Sequence, residues 1–260
     1  LRKNIITLLR LGTEQSDNKS IIGCIAELDK CIRRYPGKKM TIDEFCHSIV
    51  KSVTIDDFIV YNNGSLMSQF KTSSKKIPNI DINKYVDSNL YKSLNLKNAV
   101  QNDFLNECII SFENFRKFIV DPKSVIDHTF IWDLVCHEQQ KILIEPINLI
   151  ILEFENNDIT NNVSVVCPTN AYSKNVFDPR KRSMVLLKRN EFYEMITIVQ
   201  NTFDKKSNLI NPNVCIKHNY RVTELFKHNG NIMNTLDKIM NVILNNTKQK
   251  CSPLQSIVKT

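Results

Sequence analysis

Glycine is scarce in this chain, with five among 260 residues. Neither GxxxxGK[ST] nor GxGxxG occurs. That excludes the two glycine-built loops that cradle phosphates at a helix start. Cysteine occurs eight times, yet no CxxC pair is present and no His/Cys spacing matches a zinc site. His137 follows Cys136 directly, but no second pair completes a tetrahedron, so neither a metal nor a cofactor is expected. Several cysteines (Cys24, Cys108, Cys136, Cys167) lie inside apolar runs, which suits reduced, buried thiols in a reducing compartment. The longest apolar stretch, 147–152, is far too short to span a bilayer, and no secretory leader pattern opens the chain. No membrane partner is expected. The sequence starts at Leu1 rather than Met, and the expectation is a piece of a longer polypeptide.

What is present describes an ordinary globule. The apolar share is 42% and the charged share 24%, enough to bury a full core in one large domain or two small ones. The formal charge is +8 and the isoelectric point about 9.0. A basic balance of this size allows nucleic acid as a partner if the charges cluster. The clusters are small: Arg33, Arg34, Lys38 and Lys39; Lys71, Lys75 and Lys76; Arg180, Lys181, Arg182, Lys188 and Arg189. Solvated loops account for them more simply than a dedicated phosphate surface.

Periodicity predicts helices first and strands later. Ile21, Ile22, Ile25, Leu28 and Ile32 recur at three- and four-residue steps over 21–33, closed by Pro36-Gly37. Thr41 with Glu44 forms a capping-box pattern ahead of Phe45, Ile49 and Val53. A third helix is expected from Thr54 towards Asn62-Asn63-Gly64, then a surface loop over 71–87. Residues 102–120 read as a helix with Phe104, Cys108, Ile109, Phe112, Phe115 and Phe118 as its buried stripe. Residues 124–136 form a compact helix with the single tryptophan, Trp132. Strands follow at 147–154, 163–167, 183–189 and 191–199, the last two paired as a hairpin across Arg189-Asn190. A short strand "VCIKH", an Asn229-Gly230 turn and an amphipathic helix over 231–244 complete the chain. The class is α+β, or a three-layer α/β arrangement, with N-terminal helices on a central, mostly antiparallel sheet of about five strands. A core over 1–202 and a strand/helix extension over 203–260 are expected, with no internal repeat.

The polar stretch "EQSDNKSII" ends at a helix start, and Ser20 sits at the junction. Asp17 and Ser20 both suit an N-cap, worth about 1 kcal/mol. A nucleophile would need a base and oxyanion donors as well, so chemistry alone favours the cap. None of the five histidines is in a strand-turn setting that presents a base, and Asp127-His128 reads as a structural pair. Glu145, Glu153, Glu155 and Asp158 with Lys188 hint at a metal-dependent nuclease. That site needs Glu-x-Lys on one strand, where this chain has Glu153-Phe154-Glu155.

The order of these pieces resembles the ovarian tumour (OTU) class of papain-like cysteine proteases. The family's Asp-Gly-Asn-Cys-Leu-Phe motif falls on Asp17-Asn18-Lys19-Ser20-Ile21-Ile22, and its tryptophan segment is similar to "FIWDLVCHEQQKILIEPINLIIL". The family's His-Tyr at the start of a terminal strand falls on Phe192-Tyr193. "RLGTEQSDNKSIIGCIAEL", "TIDDFIVYNNGSLMSQF", "INLIILEFENNDITNNVSVVCPTN", "LLKRNEFYEMI" and "KCSPLQSI" together look like a domain in large proteins of nucleocytoplasmic large DNA viruses, the giant viruses.

The resemblance implies an OTU/papain-like fold with no catalytic residue left. Ser20 stands at the nucleophile position and Phe192 at the base position, with Asp17, Asn18 and Lys19 as the motif loop. Exchanging cysteine for serine removes a partly ionised thiol, and exchanging histidine for phenylalanine removes the base. It further implies a binding or scaffold module with Tyr193 and Trp132 as binding residues. Its partner would be ubiquitin-like or a viral assembly component, met in the host cytoplasm (the viral factory) or the virion. Two alternatives stand beside it: a basic module of viral transcription or packaging machinery, and an active ubiquitin-directed hydrolase using Ser20 or Cys24.

Overall fold

A computed structural model of the chain describes residues 3–14, 16–33, 40–72, 81–154, 163–166, 181–203 and 215–217. The first element is a strand, β1 (Lys3–Leu11). Periodicity does not reveal it, because its apolar residues come in adjacent pairs, Ile5-Ile6 and Leu8-Leu9, rather than in alternation. Helix α1 (Ser20–Arg33) follows, then α2 (Ile42–Ser52) and α3 (Ile55–Phe58). Thr41 with Glu44 and Thr54 with Asp57 form complete capping boxes at the last two.

The helix expected from Thr54 is broken into short pieces. Asn62 and Gly64 both take positive φ, 50° and 79°, which ends α3 in a 3-10 turn (Tyr61–Gly64) and starts α4 (Ser65–Gln69). The described end of the expected loop holds structure too: a 3-10 turn (Ile82–Tyr85) that buries Tyr85, then α5 (Asn89–Ser93). Helix α6 (Ala99–Val120) starts at the Asn98 cap. Its buried stripe is Leu105, Cys108, Ile109, Phe112, Phe115 and Ile119. Phe104 is 42% exposed, because Leu105 takes the inward position next to it. Helix α7 (His128–Cys136) starts later than the pattern suggests, at the Asp127 cap.

Among the described residues, six strands form one mixed sheet: β1, β2 (Asn148–Phe154), β3 (Val163–Val166), β4 (Ser183–Arg189), β5 (Phe192–Phe203) and β6 (Cys215–Lys217). The order is β1-β5-β4-β2-β3, with β6 also paired to β5. The β2/β4 pair is parallel, and the β1/β5, β2/β3, β4/β5 and β5/β6 pairs are antiparallel. The β4-β5 hairpin turns at Asn190, whose φ of 52° matches the right-handed twist of its strands. Strand β2 begins with four consecutive buried residues, as expected of a strand covered on both faces.

The architecture is thus α+β. Helices α2, α3 and α4 pack on α6, while α1 packs on β5 and α7 on β2. Six aromatic rings (Phe58, Phe70, Phe112, Phe115, Phe118 and Phe130) knit α3, α4, α6 and α7. Strand β6 places part of the expected 203–260 extension in the same sheet. The Asn229-Gly230 turn and the 231–244 helix lie outside the described residues.

Candidate functional site

The motif loop is fixed before it reaches Ser20. Ser16 Oγ accepts from the backbone N–H of Asn18 (3.4 Å) and Lys19 (3.1 Å). Asn18 is stitched to the α6–α7 connection: its carbonyl accepts from Ile126 N–H at 2.8 Å and its side chain reaches Pro122 O at 3.5 Å. Asp17 is exposed in the turn. Gly23 lets the preceding loop cross α1 closely, since a Cβ there would meet Glu14 O at 2.7 Å. Glu14 in turn accepts from Ile42 N–H at 3.1 Å and so holds the start of α2.

Lys19 points inward, with 2% of its surface exposed. Its Nζ donates to Ile119 O (2.9 Å), one of the last carbonyls of α6, and lies 3.9 Å from Cys46 Sγ. A cation at a helix C-terminus satisfies a carbonyl that has no partner within the helix. Burial pushes the Cys46 thiol up, with Lys19 acting in the opposite sense.

Ser20 does not cap α1. It is the first helical residue, 1% exposed, and its hydroxyl is turned to strand β5. It accepts from Tyr193 N–H at 2.9 Å and donates to Glu191 O at 3.4 Å. One turn on, Cys24 Sγ donates to Tyr193 O at 3.5 Å. The register explains why. Strand β1 stops pairing at Leu11↔Met195, which leaves the edge of β5 at Tyr193 without a strand. Two side chains four residues apart on one helix face take over the N–H and C=O that β1 does not reach. A buried backbone group left unpaired would cost as much as a lost hydrogen bond.

Phe192 does not face Ser20. Successive strand residues point to opposite faces; Tyr193 and Met195 are buried towards the helices, so half-buried Phe192 stands on the other side. Ser20 instead grips the backbone on both flanks of Phe192. Among the described residues no imidazole hydrogen-bonds to Ser20.

Tyr193 and Trp132, expected as binding residues, are enclosed at 0% and 3% exposure. They do not line an open cleft. The Tyr193 hydroxyl sits at the start of α7, 2.9 Å from His128 Nδ1 and 3.4 Å from His128 N. The Trp132 ring meets the His128 ring edge-on at 6.4 Å. Asp127 and His128 are not paired with each other. Asp127 caps α7 by accepting from Thr129 N–H at 2.8 Å, and His128 is committed to Tyr193. Burial pushes the Tyr193 phenol up. Burial also pushes the His128 imidazole below its ordinary value; Asp127, Glu153 and Glu191 oppose this and Lys188 adds to it. No sequence signal marks His128 as Tyr193's partner, because the two are 65 residues apart.

Glu153, Lys188 and Tyr193 lie in register across β2, β4 and β5, and Lys188 forms a short ion pair with Glu153. Arg182 pairs with Glu145 at 2.9 Å, and Lys181 reaches Cys136 O at 3.4 Å and Glu138 at 4.0 Å. Much of the 180–189 basic cluster is therefore spent within the fold. Among the described residues, no group of His, Cys, Asp or Glu could hold a metal ion, and no helix is long and apolar enough to cross a membrane. Cys24, Cys46, Cys108 and Cys136 form no disulfide.

Compared with known proteins, the chain matches no family model, no curated protein and no solved structure.

Proposed function

We propose that this chain is a catalytically inactive, OTU-like viral domain that acts as a protein-binding or scaffold module. The observation that carries the reading is the seat of Ser20. Its oxygen accepts the Tyr193 N–H and its proton is directed at the Glu191 carbonyl. A serine nucleophile needs a base to take that proton; among the described residues no imidazole hydrogen-bonds to Ser20, and Phe192, at the base position by resemblance, points to the other face of β5. With nucleophile and base both replaced, backbone donors alone would supply only residual acceleration. The rim left for a partner is the hairpin tip beside Phe192, where Arg189, Asn190 and Glu191 are exposed. An extended peptide or the tail of a ubiquitin-like protein suits such a rim. On the likeness to giant-virus proteins, we assign the module to the host cytoplasm or the virion.

The test is to incubate the whole chain with ubiquitin bearing a C-terminal electrophile, and separately to titrate unmodified ubiquitin. The expected outcome is saturable binding with no adduct on Ser20 or Cys24. An adduct on either residue makes the chain an enzyme and sinks the reading. Absence of binding at millimolar ubiquitin removes the ubiquitin-like partner. The nucleic-acid alternative has less support, because Lys181, Arg182 and Lys188 already engage acceptors within the fold. Retention on DNA or RNA that weakens steeply with salt would revive it.

A further inference from the structure

Tyr193 joins three elements through every polar group it has. Its N–H goes to Ser20 and its C=O accepts from Cys24, both on α1. Its hydroxyl goes to His128 at the first turn of α7. Valence fixes the direction of one bond to His128, and the lack of another acceptor for the Tyr193 proton among the described residues directs the other. The backbone N–H of His128 can only donate, so the tyrosine oxygen accepts it. The hydroxyl proton is then free to point at His128 Nδ1, 2.9 Å away. Nδ1 must accept, which makes the imidazole neutral with its own proton on Nε2.

A second proton on the ring breaks this arrangement. Nδ1 becomes a donor and faces the oxygen that was donating to it. Tyr193 must turn its hydroxyl away, and no other acceptor for that proton lies within hydrogen-bond reach among the described residues. A buried donor without an acceptor is costly. The charged groups around the ring come from every neighbouring element: Asp127 at the cap of α7, Glu153 on β2, Lys188 on β4 and Glu191 in the hairpin turn. The ammonium among them, on Lys188, is already paired with Glu153, so that carboxylate is not free to receive the new imidazolium.

We propose that the Tyr193–His128 contact is an acid-opened latch: a proton on His128 releases the first turn of α7 from β5 and uncovers the junction of α1, α7 and β5. This device stands whether or not the domain binds a ubiquitin-like tail. Opening is local, because the aromatic cluster on the far side of α7, Phe130 against Phe70 and Phe118, involves no titrating group. It also exposes Tyr193 and Trp132, the two residues that the closed form encloses.

The chain carries its own reporter, since its only tryptophan sits edge-on to the titrating ring and an imidazolium quenches indole emission. The whole chain is titrated downward from neutral pH, following Trp132 emission and amide exchange together. The expected result is one reversible transition, with a midpoint below the ordinary imidazole value of 6.5. Exchange over residues 128–131 should rise in step, while the middle of α6 stays protected. In His128→Gln the transition disappears. In Tyr193→Phe the midpoint moves up, because the donor that held the ring neutral is gone. An emission transition that survives in His128→Gln overturns the proposal. So does a His128 ring-proton titration in the unaltered chain with no matching rise in exchange over 128–131, a measurement that needs no variant to fold.

Discussion

In the helical layer, Phe58 meets the rings of Phe70, Phe112 and Phe115 at centroid separations of 5.2–6.5 Å. That contact is made by apolar surface alone. At the junction of α1, β5 and α7, burial is just as complete, but it encloses Tyr193 with an N–H, a C=O and a hydroxyl that each need a partner. The first region is held by area and shape, and tolerates small adjustments of its rings. The second is held by direction, and one missing atom leaves a buried group unpaired. The hydrophobic effect is non-directional; hydrogen bonds to buried groups are not. The two regions should therefore fail differently.

Truncating the aromatic region should produce the largest loss. Phe58→Ala removes a fully buried ring and leaves a cavity, at a cost of about 3–5 kcal/mol, read as a shift in the urea unfolding midpoint. If Phe58→Leu is nearly as damaging, the region depends on ring geometry rather than on buried area, and the contrast weakens. Next comes Ser20→Ala, which leaves the Tyr193 N–H unpaired and should cost about 1–3 kcal/mol in the same measurement. A near-neutral result would mean that water replaces the hydroxyl and that direction matters less at the junction than argued. Thr41→Ala, at the exposed cap of α2, should cost about 1 kcal/mol and serves as the ordinary reference for a lost side-chain bond.

The smallest expected effect is that of pH. His128 has a folded-state value below 6.5 because burial disfavours its charged form. The unfolded chain therefore binds that proton more readily than the folded one. Stability is at its full value above 6.5, falls as the pH drops through 6.5 towards the folded value, and falls no further on account of this group below that. The dependence should vanish in His128→Gln and remain intact in Phe58→Ala. A pH dependence of equal size in both would erase the difference between the two regions.

The two regions also differ in how far sequence could show them. The helix carrying Cys108, Ile109, Phe112 and Phe115 and the strands 147–154 and 183–189 are patterns repeated along the chain, and pattern is what periodicity reads. Phe104 misleads because two adjacent apolar residues compete for one stripe, and only packing decides in favour of Leu105. Strand β1 escapes because its apolar residues do not alternate. At the junction the sequence marks Ser20 correctly as special but for a different reason. A serine at a helix start looks like a cap, whereas here its partner is Tyr193, 173 residues away. Lys19, expected only as part of the motif loop, is likewise explained by a distant group: its carbonyl partner, Ile119, is 100 residues away. Side chains that serve a distant backbone leave no local trace.

Strand β5 links the two ends of this fold in time as well as in space. The stretch that pairs with β1 is 195–203, and the residue that receives Ser20 and Cys24 is Tyr193. During synthesis β1 and α1 are made early, yet both must wait for the same late segment before their bonds can close. Closing a loop of that length costs entropy that rises only slowly with size, but until it closes an apolar strand stays without a partner. A nascent chain stopped just short of the hairpin at Asn190 would hold its aromatic helices and lack both edges of its junction. The last strand of the hairpin thus sets the moment at which the beginning of the sequence becomes part of the protein.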